Sequence, residues 1–231
     1  MILAVAGGKG GVGKSTVAYN LGAMLGGDSD RGGKEDAVVV DADLGMANLP
    51  ASHGPDLHDV LAGRACPLEA VRHGPVSLLP CGRSLAGARA ADLRLFADAI
   101  REVEREYGDV VIDCPAGLRS DAGVPLAVAD ACLLVTTPDP FAVSDAVRTR
   151  ELARELDCGL VRVVLNRASE TEQSTVDTFA RLLGGPVTAL PTHPALGQSV
   201  ETGIPVTQAH AADDVVARVA ELATAVEHVR R

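Results

Sequence analysis

The chain has 231 residues, 31 acidic against 21 basic, for a formal charge of −10; 47% of it is apolar and 2% aromatic. That length suits one α/β domain over residues 1–231 with a sizeable core, and the acidic balance argues against a nucleic-acid face, whose affinity would come from neutralising phosphates. Five cysteines (Cys66, Cys81, Cys114, Cys132 and Cys158), without a C-x-x-C pair, argue against a disulfide framework or a zinc site and fit reduced thiols in the cytoplasm.

Ile2–Ala6 is a short apolar run and predicts a buried strand. It is too short for a signal peptide or a membrane span. Gly8 to Ser15 then fits G-x-x-x-x-G-K-[ST], the phosphate-loop pattern. Ser15 to Leu25 follows as a helix, with Val17, Leu21, Met24 and Leu25 near one face. Strand, glycine-rich turn and helix together place the backbone N–H groups of Gly8, Gly10, Gly11, Val12, Gly13, Lys14, Ser15 and Thr16 around an anion at a helix N-terminus. Lys14 should reach the β- and γ-phosphates, and the Ser15 hydroxyl should ligate Mg²⁺. The chain has three lysines, Lys9, Lys14 and Lys34, against eighteen arginines. Two of the three sit in this window, where a compact ammonium on a flexible stem serves a polyphosphate.

Asp28 to Asp36 reads as an exposed, glycine-rich acidic loop. Ala37–Val40 is the next apolar strand, ending at Asp41 with Asp43 two positions on. Residues at i and i+2 of a strand point the same way, and strand C-termini are where open α/β sheets bind ligands. The bland alternative is a pair of strand-end aspartates capping a turn. A helix over Ala91–Tyr107 leads to the strand Asp109–Ile112, which ends at Asp113, as a metal-holding aspartate would. Further strands are expected at Ala131–Thr137, Val161–Leu165 and Pro186–Pro191, with helices at Phe141–Leu156, Thr171–Leu183 and Asp213–Val229. This alternation predicts a doubly wound, mainly parallel sheet with helices on both faces.

Lys9-Gly-Gly-Val-Gly-Lys14-Ser-Thr resembles the deviant Walker A motif of the MinD/ParA family of ATPases. The order of later motifs extends the resemblance from Ile2 to about Val206. Asp41-Ala-Asp43-Leu-Gly-Met-Ala-Asn48-Leu resembles switch I. Asp113-Cys-Pro-Ala-Gly117 resembles switch II. Thr136-Thr-Pro-Asp139, Asn166-Arg167 and Gly203-Ile-Pro-Val206 follow. The resemblance implies the P-loop NTPase fold, with ATP and Mg²⁺ as ligands and a homodimer when ATP is bound. It assigns Lys9, Lys14 and Asp43 to catalysis, with Lys9 crossing to the partner's phosphates and Asp43 positioning the attacking water. Asp41 and Asp113 then support magnesium with Ser15, and Asn48 lies near the γ-phosphate. Asn166 would read the adenine edge, and the loop at Pro191 would cover the other side of the base. A plain strand-end turn residue is the alternative for Asn166.

The acid-rich, lysine-poor, alanine-rich composition is similar to that of proteins from salt-loving archaea, where an acidic surface keeps its hydration. MinD proteins generally carry a basic amphipathic helix beyond the folded domain. Here Val215, Val219, Leu222, Val226 and Val229 form one apolar stripe without bulky anchors or lysine. That predicts a helix closing the domain and no autonomous membrane binding. Any recruitment to poles or membrane should then come through a protein partner. The resemblance implies a slow ATPase switch that positions a cellular component. The rival readings are a metabolic P-loop enzyme acting with ATP on a small acceptor, and a nucleotide-binding scaffold without turnover.

Overall fold

A computed structural model describes residues 1–27, 37–45, 47–50, 53–117, 120–168, 173–209 and 213–230. The expected acidic loop at 28–36, with Lys34, lies outside the described residues, as do Met46 and the first two residues of the helix expected from Thr171.

Seven strands form one parallel sheet in the order β3-β2-β4-β1-β5-β6-β7. They are β1 (Ile2–Ala6), β2 (Val38–Asp41), β3 (Ser77–Leu79), β4 (Val110–Asp113), β5 (Ala131–Thr136), β6 (Gly159–Asn166) and β7 (Val187–Leu190). The chain leaves central β1 toward β2 and β3, returns through β4, and crosses to β5. The connections on the two halves therefore run in opposite directions, which opens a crevice above the C-terminal end of β1.

Side-chain alternation along the strands divides the core in two. Ile2, Ala4, Val38, Val40, Val110 and Ile112 face Phe96, Ile100 and Val103 of α5 (Phe96–Tyr107) and Leu126 of α6 (Ser120–Val128). Leu3, Val5, Val39 and Val111 face Val17 and Leu21 of α1 (Lys14–Gly26) and Leu222 and Val226 of α10 (Asp213–Arg230). With both faces covered, the strands carry continuous apolar runs, as buried parallel sheets do.

Other helices among the described residues are α2 (Leu57–Leu61), α3 (Pro67–Ala70), α4 (Leu85–Ala90), α7 (Pro140–Glu155), α8 (Gln173–Leu183) and α9 (Pro194–Thr202). The helix expected from Ala91 begins only at Phe96. Asp92 instead caps a 3₁₀ turn over Leu93–Leu95 by accepting from Arg94 N. Four of the five residues of the C-terminal stripe are buried in α10, whereas Val229 is 55% exposed and lies beyond the packed face.

The Gly203–Val206 element is fastened to α1. The Tyr19 hydroxyl donates to Gly203 O at 2.7 Å, and Val206 N donates to Asn20 Oδ1 at 2.8 Å. Asn20 Nδ2 also donates to Thr16 O and Ser199 Oγ, both at 2.8 Å. One buried amide thus holds α9 against the helix that starts at the glycine-rich loop.

Candidate nucleotide and magnesium site

Residues 7–13 join the end of β1 to the start of α1, so the loop stands at the sheet's C-terminal edge beneath a helix N-terminus. Gly13 has φ 100°, a left-handed conformation that a side chain would strain, and a Cβ there would also strike Asn166 Nδ2. Gly8 is packed from the other side: a Cβ would lie 2.6 Å from Asp145 O of α7. Both glycines are required by close approach and backbone shape, whatever the ligand.

A cleft of about 490 Å³ opens over this loop. Gly10, Gly11, Gly13, Lys14, Ser15, Thr16, Asp43 and Asn48 line it. Val12 is buried behind the loop, and Lys14, although it lines the cleft, is only 8% exposed. The side chain is thus packed within the site instead of extending into solvent. Asn48 Nδ2 lies 3.5 Å from Asp43 Oδ2, so these two predicted residues stand together at the rim.

The two strand-end aspartates are neighbours. Asp41 and Asp113 face each other across the β2–β4 ladder, and both are buried. Asp41 Oδ1 accepts from Asp43 N at 3.1 Å; Asp41 Oδ2 accepts from Asn48 N at 2.9 Å and from Leu49 N at 3.1 Å. Burial raises the Asp41 carboxyl while these N–H groups pull it back. With both oxygens engaged, Asp41 organises the segment carrying Asp43, which is the turn-capping role weighed from the sequence.

Asp113 differs. The Ser15 hydroxyl is hydrogen-bonded to it, yet its Oδ1 is buried without a hydrogen-bond partner. Its carboxyl is raised from 3.8 to about 7, chiefly by burial and further by Asp41 and Asp43, against the opposing pull of Ser15 and Lys14. An unmet buried carboxylate oxygen beside a hydroxyl is a donor pair suited to a divalent cation that takes its other ligands from elsewhere. No three His, Cys, Asp or Glu side chains among the described residues could hold a metal by themselves. That fits Mg²⁺, which keeps waters and substrate phosphates in its shell.

The raised Asp113 carboxyl has a measurable consequence. In magnesium-free protein the native state keeps a proton that the unfolded chain has lost between its two pKa values, 3.8 and about 7. Stability from this group therefore falls as pH rises through that window. Asp113→Asn removes the titration. Relative to wild type, the variant is expected to gain on the order of a few kcal/mol between about pH 5 and about pH 7.5. Denaturant midpoints at the two pH values check this; a difference that does not change with pH would contradict it.

Other predicted residues stand back from the cleft. Asn166 Nδ2 donates to Val12 O at 2.8 Å, and its Oδ1 accepts from Arg167 N at 3.0 Å. Its amide braces the loop from behind, leaving one N–H and one lone pair unspent. Pro191 does not line the cleft; the wall after β7 is made by Gly197, Val200 and Glu201 of α9. Arg167, with φ 60°, lines it too. Nothing local in the sequence marks these four: α9 has no strong apolar period, and Arg167 stands out only as the neighbour of Asn166. Lys9 is turned to the surface, where its Nζ meets Asp139 Oδ2 at 2.6 Å.

Comparison with known proteins agrees with this geometry. Residues 3–206 match the family described as the CobQ/CobB/MinD/ParA nucleotide binding domain. An ATP-binding protein of Methanocaldococcus jannaschii is 40% identical over 174 residues, which cover 72% of this chain and 64% of that protein's length. The cell division ATPase MinD of Pyrococcus furiosus superposes with a TM-score of 0.85 at 29% identity, covering 98% of each chain. MinD of Pyrococcus horikoshii, solved with Mg-ADP, gives 0.86 at 27%, covering 99% of this chain and 96% of its own. The chain belongs to the CobQ/CobB/MinD/ParA family of nucleotide-binding P-loop proteins.

Proposed function

We propose that this protein is an ATP-dependent switch: it binds Mg-ATP in the cleft, dimerises, hydrolyses the nucleotide slowly, and so controls the placement of a cellular component through a protein partner. The observation that carries the reading is Asp43 at the rim of a phosphate-loop cleft that Ser15 also lines, with Ser15 hydrogen-bonded to the buried Asp113. Mg-ADP in the P. horikoshii neighbour supports the choice of nucleotide and metal.

The loop's N–H groups and Lys14 would bind the β- and γ-phosphates. Ser15 and Asp113 would hold magnesium, and Asp41 would keep the Asp43 segment in register. When bound, Mg²⁺ neutralises the charge that builds on the phosphate oxygens. Asp43 would orient water by accepting one of its protons in a hydrogen bond. Arg167 and the α9 wall flank the remaining space, where the base would lie. Because α10 spends four residues of its stripe on the core, placement in the cell is assigned to a protein partner and not to lipid.

The purified protein with Mg-ATP and no other acceptor should release ADP and phosphate in equal amounts. Nucleotide consumption only after a small acceptor is added would favour a metabolic enzyme, and tight ATP binding with no product would favour a scaffold.

A further inference from the structure

Beneath the segment that follows β2, one histidine is enclosed in the core. His58, on α2, is 2% exposed. Its Nε2 lies 3.0 Å from Leu44 O and 3.5 Å from Cys81 Sγ. A carbonyl oxygen can only accept, so the contact with Leu44 puts the proton on Nε2. The Cys81 thiol then faces an N–H and serves at most as a weak acceptor. Nδ1 is left as a bare lone pair, buried and without a hydrogen-bond partner. Two glycines close the wall beside it: a Cβ on Gly87 would lie 2.6 Å from Nδ1, and one on Gly82 would collide with it.

This is a costly way to fill a core. A buried acceptor without a partner loses its hydration and regains nothing. What imidazole adds is one donor aimed at Leu44 O. That carbonyl belongs to the residue immediately after Asp43. Asp41 fastens the segment through the N–H groups of Asp43, Asn48 and Leu49. His58 adds a fastening from a different element. That element is itself fixed, by a capping box between Asp56 and Asp59 and by Leu57 N donating to Pro80 O at 2.9 Å.

The geometry points to His58 as a positioning residue for hydrolysis: through Leu44 O it holds the backbone of Asp43 at the cleft. The inference rests on the ATPase reading above, and its test separates the two. In the full chain, His58→Leu removes the donor and keeps the bulk, while His58→Gln returns an N–H near the position of Nε2. His58→Leu should lower kcat about tenfold with KM for Mg-ATP within about twofold, since only alignment is lost. His58→Gln should recover most of it.

In nucleotide-free protein, amide exchange at Asp43, Asn48 and Leu49 should quicken about tenfold in His58→Leu and return toward wild type in His58→Gln. Unchanged exchange, or an equal loss of kcat in both variants, would overturn the inference. His58→Met, also without a donor, makes the same comparison if leucine is not accommodated. A wild-type protein without turnover would overturn the ATPase reading and the catalytic part of this inference with it. The exchange measurements would then decide alone whether His58 fastens Leu44.

Discussion

Asp43→Ala is expected to lower ATP turnover by roughly a hundredfold or more, the range for losing a group that directs the attacking nucleophile, while ATP affinity stays within about twofold. The asymmetry follows from where each function sits. On the proposed reading, ground-state binding draws on the loop N–H groups, Lys14 and the Ser15–Asp113 pair; the substitution leaves these groups in place and removes only the charge by which Asp43 raises the Asp113 carboxyl. Asp43 is at the rim, on the segment that Asp41 organises, and lines the cleft opposite the loop. A carboxylate there aligns water, and alignment matters only as the γ-phosphoryl group leaves, so its loss falls on rate and not on affinity. Calorimetric titration with Mg-ATP alongside phosphate release measures both quantities. Loss of binding in proportion to rate would make Asp43 a structural or metal-shell residue.

Much of this site was legible because its parts are local. The phosphate loop, Asp43 with Asn48, and the strand-end Asp113 are each written within about ten residues, beside apolar runs that mark buried strands. What escaped depends on distant segments. Asn166 braces Val12 O from 154 positions away, a contact no spacing reveals. The α9 wall was not foreseen, since Pro194–Thr202 is short and carries Gly197 within it. Edge strand β3 has three residues, too few for a period, and helices α2 to α4 have four to six each. They are held by caps and by the sheet instead of by an amphipathic stripe. Helix α6 is apolar nearly throughout, with Pro125 inside it, so it showed no face to read. The role of His58 needed the same long-range information: its partner Leu44 is fourteen residues away, across the turn that Asp41 ties together.

Mg-ATP is expected to double the particle mass from 23.7 kDa in the Asp43→Ala background, where slow turnover should preserve the ATP state, and ADP is not. Adding Lys9→Ala to that background should leave a monomer. In an otherwise wild-type chain, Lys9→Ala should reduce turnover by about a hundredfold or more, as when a cation supplied in trans is removed from phosphoryl transfer. In the single chain, Lys9 does not reach its own cleft; it pairs with Asp139 and lies 5.9 Å from the centre of the Phe141 ring. Lys9 is 38% exposed and Asp139 40%. An ion pair so open to water is worth little, so its opposition to release is small. A triphosphate on a facing subunit offers a much denser negative charge in a site that dimerisation would close to solvent. Phe141, 78% exposed beside the same lysine, would gain cover from that contact. ATP should still bind the Lys9→Ala chain, because Lys14 and the loop N–H groups remain. Light scattering with ADP and with Mg-ATP, together with phosphate release, decides the matter: a Lys9→Ala protein that dimerises and turns over like wild type would show that this lysine is only a surface charge.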